Sequence, residues 1–140
     1  MPYKNKAKAK ECKRRFQLGN SQRCKDAHSR WVDRNPHLVW ARSTLKSHAY
    51  RGNAVVITVK ELVKLANETT ECEFCGTPLK FIYGIGHRQD GPTLDRLQNS
   101  KTLTKENIAI ICKRCNTSKG DRTMDEFINY CRKIYERFGN

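Results

Sequence analysis

Two cysteine pairs carry the clearest chemistry in this chain. Cys72-x-x-Cys75-Gly76 and Cys112-x-x-Cys115 share one spacing and are separated by 36 residues. Two residues between cysteines let both sulfurs of a turn address one tetrahedral ion, and Gly76 permits the positive φ such a knuckle needs. Two knuckles complete a four-cysteine set, the composition of a closed structural Zn2+ site; a catalytic zinc would keep a coordination position open. Thiol redox chemistry is the other use of C-x-x-C, but it goes with a βαβ framework that the sequence does not suggest. Cys12 and Cys24 lack knuckle spacing. They could assemble a second site with His28 and His37 but are read as free thiols. Cys131 falls in an apolar helical stripe and is read as a buried core residue.

The elements that must hold these knuckles follow from periodicity and capping signals. Residues 1–20 are rich in Lys and Arg and read as an arm, helical at best when bound; residues 21–34 read as a basic helix carrying Ala27 and Trp31. Asn35-Pro36 opens a further helix with Leu38, Ala41, Leu45 and Ala49 at helical spacing, stopped by Gly52. Ala54 to Ile57 reads as a short strand. Thr58 with Glu61 forms a capping box for a helix to about Asn67, with Leu62, Val63, Leu65 and Ala66 on its apolar side. Between the knuckles, Pro92–Leu97 alternates apolar and polar residues as a half-buried strand does, and Glu106–Ile111 ends in a short apolar strand. The segment from Asn116 to about Lys119 is placed to start a helix. Thr123 and Glu126 form a second capping box, and Phe127, Ile128, Cys131, Ile134, Tyr135 and Phe138 follow as a stripe expected to be core.

Charge narrows the partner. The 28 Lys/Arg against 14 Asp/Glu are unevenly spread: residues 1–53 hold 14 and 3, residues 54–140 hold 14 and 11. So basic an N-terminal part expects a polyanion. No stretch joins a basic face to a broad apolar one, which favours nucleic acid over a membrane surface. There is no apolar run of membrane-spanning length, and the charged start leads into no apolar signal core. A cytoplasmic, reducing location is therefore expected, in which seven cysteines point to metal rather than disulfides. Lys13, Arg14, Arg15, Arg42, Lys46, Arg51 and Lys119 are the candidate nucleic-acid contacts.

The ordered set is more informative than its parts. Cys-x-x-Cys-Gly, Pro-Thr-Leu-Asp-Arg-Leu-Gln-Asn-Ser, Thr-Lys-Glu-Asn-Ile and Cys-Lys-Arg-Cys-Asn-Thr-Ser-Lys-Gly-Asp together resemble an HNH (ββα-metal) endonuclease, a family common in phages and other mobile elements. The resemblance covers roughly residues 54–138. It implies an α+β fold in which a ββα-metal nuclease module, residues 54–140, is stapled by the four-cysteine zinc site. Basic helices in residues 1–53 would precede it as a DNA-binding extension.

The resemblance also implies roles. Asp95 matches the carboxylate that binds the catalytic divalent ion, Asn116 a second ligand to that ion, and Asn107 a residue that braces the loop. An oxygen pair suits Mg2+ or Mn2+, which can polarise the scissile phosphate and stabilise the leaving oxygen. The family's general base, a His directly after the first ligand, is here Arg96. A guanidinium cannot take a proton from water, though it can clamp phosphate. The base then comes from His87, on a segment that Gly84, Gly86 and Gly91 make bendable, from Asp90, or from metal-bound hydroxide. His28, His37 and His48 read as solvated or phosphate-facing. A non-catalytic zinc module that binds nucleic acid would keep the quartet and the charge without needing Asp95 or Asn116. Phosphate chemistry alone does not separate DNA from RNA, and the sequence does not fix the oligomeric state, a monomer being sufficient.

Overall fold

Lys6–Arg34 form a single helix, α1, in place of the expected arm followed by a shorter helix. The composition explains it. Lys, Ala, Arg, Gln and Glu are good helix formers, and one glycine inside, Gly19, costs only about 1 kcal/mol relative to Ala. Glu11 and Arg15 pair at 3.2 Å one turn apart, and Gln22 donates to Asp26 at 2.8 Å over the same spacing. Phe16, Leu18 and Trp31 are exposed, as are Lys13, Arg14 and Arg15. A helix polar nearly all round is held by such local pairs, not by a core. The computed structural model describes residues 6–84, 88–98 and 102–139. They divide into two units, residues 1–35 and 36–140.

The second compact unit begins with α2 (Pro36–Tyr50) and so includes residues 36–53 of the basic segment. The reason is packing: Ala41 and Leu45 are buried in the same cluster as Leu62 and Ala66 of α3 (Val59–Glu68). The capping box of α3 forms as its residues suggest. Thr58 Oγ1 accepts from Glu61 N at 3.2 Å, and Glu61 Oε2 accepts from Thr58 N at 2.9 Å. Between the two helices β1 is only Ala54–Val55, pairing in parallel with β3 (Thr102–Leu103). It stops short of Ile57 because Val56 N and Ile57 N both turn onto the Leu103 carbonyl.

β2 (Pro92–Arg96) and β4 (Ile108–Cys112) pair antiparallel, with Asp95 opposite Ala109 and Pro92 opposite Cys112. Lys105–Asn107 form a 3-10 turn, and β4 starts at Ile108, where the apolar run begins. It is buried throughout. Ile108 and Ile110 join the cluster of Leu62, Leu94 and Leu103, while Ala109 and Ile111 pack with Cys72 and Cys112. α4 (Lys113–Lys119) follows without a spacer, begun by Cys112, whose Sγ accepts from Cys115 N at 3.4 Å. It ends at Gly120, whose φ of 56° favours glycine.

The last helix, α5 (Met124–Phe138), departs from expectation. Its capping box at Thr123 and Glu126 is present, but its apolar stripe is not core. Ile128, Ile134, Tyr135 and Phe138 are exposed and Cys131 is an exposed thiol. Phe127, 6.4 Å from Phe74 between ring centroids, is the stripe residue that meets the body of the unit through an aromatic contact. Periodicity specifies an apolar face but not that anything covers it. The chain is thus α+β, with five α-helices and two small two-stranded sheets among the described residues. No described helix is long and apolar enough to cross a membrane.

Candidate metal centre and adjoining cleft

Cys72, Cys75, Cys112 and Cys115 converge, with all four sulfurs within 4.8 Å of one another. The Cys75 and Cys112 sulfurs lie 3.7 Å apart. A tetrahedral ion with bonds of about 2.3 Å to sulfur has ligand separations of about 3.8 Å, so the cluster fits one. Each knuckle builds its own turn. Gly76, at φ 71°, donates to Cys72 O at 2.9 Å, and Cys72 N donates to Thr77 O at 2.8 Å. Glu73 then fastens the first knuckle to β4, accepting from Ile110 N through its side chain and donating its own amide to Ile110 O at 3.3 Å. The Cys112 amide donates to Cys72 Sγ at 3.2 Å. Such donors stabilise thiolate. The Thr77 hydroxyl and amide pull the Cys75 thiol down to about 6, whereas burial pushes Cys112 and Cys115 up. A metal would have to displace protons from the latter two.

Beside this centre, β2, α4 and α2 enclose a cleft of about 440 Å3. It brings together Asp95, Arg96 and Asn116, three of the residues singled out from the sequence. Asn107 lies elsewhere and braces the loop between β2 and β4: Oδ1 accepts from Gln98 N at 2.8 Å and Nδ2 donates to Thr102 O at 3.1 Å. His87 lies outside the described residues. Asp90, weighed as an alternative base, is held by Arg88 through two hydrogen bonds of 2.7 and 2.8 Å. That contact keeps its carboxyl below the usual range, and it does not line the cleft.

Lys119 corrects the sequence reading. Composition and position group it with the nucleic-acid contacts, but it is 2% exposed and buried against Asp95. Its Nζ lies 3.1 Å from Oδ2 and 3.3 Å from Oδ1, and 3.3 Å from the Arg96 carbonyl. α4 packs on β2 and turns this side chain inward. The contact to Oδ2 is an ion pair without hydrogen-bond geometry, so Oδ2 is a buried oxygen with no directed donor. Asp95 and Asn116 both line the cleft, and the Lys119 ammonium is the cation already beside the carboxylate.

The cleft also holds residues that the sequence did not single out. His48, on the last turns of α2, lines it together with Ser43, Ser47, Arg51 and Lys113. Asn53 links His48 to Arg96. Its Oδ1 accepts from Arg96 Nη1 at 3.1 Å, and its Nδ2 lies 3.3 Å from His48 Nδ1. A guanidinium only donates, so it fixes which end of the amide faces His48, and Nδ1 is the accepting nitrogen of that ring. Burial holds the His48 pKa below its ordinary value, aided by Arg51 and Arg96 and opposed by the Leu94 carbonyl and Asp95. The only sequence clue was helical phase: His48 lies one turn from Leu45 and Thr44 on the face that α2 turns inward. Of the remaining basic candidates, Arg51 lines the cleft, while Arg42 and Lys46 are exposed on α2. His37 is partly buried and packs on Phe81 at 4.3 Å between ring centroids. In comparisons with known proteins, no family model, curated protein or solved structure matches this chain.

Proposed function

We propose that this chain is an HNH-type endonuclease that hydrolyses DNA phosphodiester bonds. A structural Zn2+ on Cys72, Cys75, Cys112 and Cys115 would hold the fold, and Asp95 with Asn116 would hold one Mg2+ or Mn2+. The observation that carries the reading is the meeting of a buried carboxylate, a carboxamide, an arginine and an imidazole in one cleft with basic walls. The divalent ion, when bound, supplies Lewis-acid polarisation of the phosphate and charge neutralisation at the leaving oxygen.

The chain's own residues do the rest. Arg96, braced by Asn53, presents a planar fork of donors to the phosphate, and Arg51 and Lys113 add positive charge on the walls. Neither arginine can accept a proton. His48 can: its lowered pKa leaves the ring neutral near pH 7, and its Nδ1 lone pair is engaged by the long 3.3 Å contact to Asn53. A proton taken from the attacking water at Nδ1 displaces that contact. α1, with ten Lys/Arg against three Asp/Glu, supplies backbone affinity that is independent of sequence.

Incubation with supercoiled plasmid and Mg2+, then with EDTA, tests the reading. Nicked or linear product that requires the ion and is lost in Asp95→Ala supports it. Binding without cleavage under every divalent ion tried favours a non-catalytic zinc module in which Lys119 is the permanent counter-ion of Asp95.

A further inference from the structure

A second cavity, of about 280 Å3, opens beside the cleft, and the two share Ser43, Thr44, Pro92, Thr93 and Lys113 as a common wall. Its character is different. Trp40, Phe81 and Tyr83 supply aromatic surface, with Val39 and Pro36 at the α2 end. Two of the rings are locked. The Trp40 indole donates to Pro92 O at 3.0 Å, and Trp40 stands edge-on to Phe81 at 5.2 Å between centroids. Tyr83 is 63% exposed, so the mouth keeps a large, amphipathic ring open to solvent.

Size and charge restrict the occupant. The volume falls below the ~300–1,000 Å3 typical of pockets for drug-sized ligands, so it suits one planar ring system. Lys80 and Arg88 stand at one side, but both are paired with Asp90, at 3.9 and 2.7 Å. Lys113 stands on the wall shared with the cleft. A free anion finds an apolar aromatic floor whose flanking Lys80 and Arg88 are already engaged by Asp90. A ring that stacks inside while its phosphate remains at Lys113, in the cleft, satisfies both halves.

We propose that this cavity takes one unstacked nucleobase of the strand lying in the cleft, adjacent to the phosphate under attack. The inference rests on reading the cleft as a phosphodiester site. It makes DNA with a base already out of the helix, in a single strand, flap or mismatch, the preferred substrate class, because a perfect duplex must first be unstacked.

Full-length protein in EDTA tests this without any cleavage. Its affinity is measured for two fluorescent strands of equal length and charge, one carrying bases and one abasic at every position. Base–aromatic stacking of ~1–3 kcal/mol per base corresponds to about 5- to 150-fold tighter binding of the base-bearing strand. Tyr83→Ala, at an exposed position, and Phe81→Leu, which keeps apolar bulk, should each narrow that ratio. Neither should alter affinity for the abasic strand. A 2-aminopurine in the strand should lose fluorescence on binding to the parent protein and less in either variant. Equal affinity for the two strands overturns the inference, as does an undiminished ratio in both variants. If bases are discriminated but Mg2+ yields no cleavage, the cavity stands and the nuclease reading falls. Efficient cleavage without base discrimination gives the reverse, and failure to bind either strand overturns both.

Discussion

Replacing Lys119 by Met tests how Asp95 is held. The ammonium and carboxylate are 3.1 Å apart, with side chains 2% and 8% exposed. At an effective dielectric of ~20 their attraction is about 5 kcal/mol. Part of that offsets desolvation, but removing one partner leaves the other charge buried alone, and such changes cost about 3–5 kcal/mol. For a domain of this size that is a fall of roughly 12–20 °C in Tm, measured by circular dichroism on zinc-loaded protein free of other divalent ions. Asp95→Asn should cost a comparable amount, and the double variant should cost far less than the sum, because no unpaired charge remains. The lone carboxylate of Lys119→Met should then be satisfied by Mn2+. At a hundred times its dissociation constant the ion restores about 2.7 kcal/mol, whereas the double variant should gain nothing. If Lys119→Met costs under about 1 kcal/mol, the pair behaves as a solvated surface contact and the buried geometry is refuted. A full loss that Mn2+ does not restore would show that the carboxylate is buried but not turned toward a cation.

Further outcomes follow from the other sites. Cys12, Cys24 and Cys131 are exposed and should react with a thiol reagent in the metal-loaded protein. Cys72, Cys75, Cys112 and Cys115 should do so only after chelation, with about one Zn released per chain; seven fast thiols in a folded sample would exclude the metal centre. His48→Gln should reduce cleavage by roughly a hundredfold or more with DNA affinity retained. Because the His48 pKa is held below 6.5, the parent's rate should fall only as pH drops below that value, and the variant should lack this limb; an unchanged profile removes His48 as the base. Removing residues 1–35, which hold eleven Lys/Arg, should flatten log K against log salt, since each phosphate contact contributes a slope of about −0.9. An unaltered slope would show that α1 does not touch the backbone.

What the sequence revealed was what is encoded locally. The C-x-x-C knuckles, both capping boxes, the α2 and α3 helices and the β2 strand are each specified by residues within one turn or one strand of each other, and each was legible. Three features were not. The inward turn of Lys119 depends on α4 packing against β2, a contact between residues 24 apart in sequence, and a lysine near a basic knuckle reads as solvent-facing until that packing is known. His48 enters the cleft because α2 packs on α3 and so belongs with the second unit, whereas charge alone groups it with the basic segment. The α5 stripe misleads in the opposite sense: its periodicity is that of a core helix, but Ile128, Ile134, Tyr135 and Phe138 are exposed, and Phe127 makes its aromatic contact with Phe74.

Cys112 belongs to two structures at once: its sulfur stands in the thiol cluster and also begins α4. Asn116 and Lys119 follow on that helix with no spacer. Because each helical residue advances by about 100°, inserting or deleting one residue between Cys115 and Asn116 would swing the carboxamide out of the cleft while leaving the knuckle spacing intact. The same change around Gln98, at the exposed start of the loop that Asn107 braces, would move neither. Variation in length should therefore be tolerated unequally along this chain. Descendants could lengthen or trim the connection between β2 and β3, whereas the eight residues from Cys112 to Lys119 must be inherited as a block of fixed length.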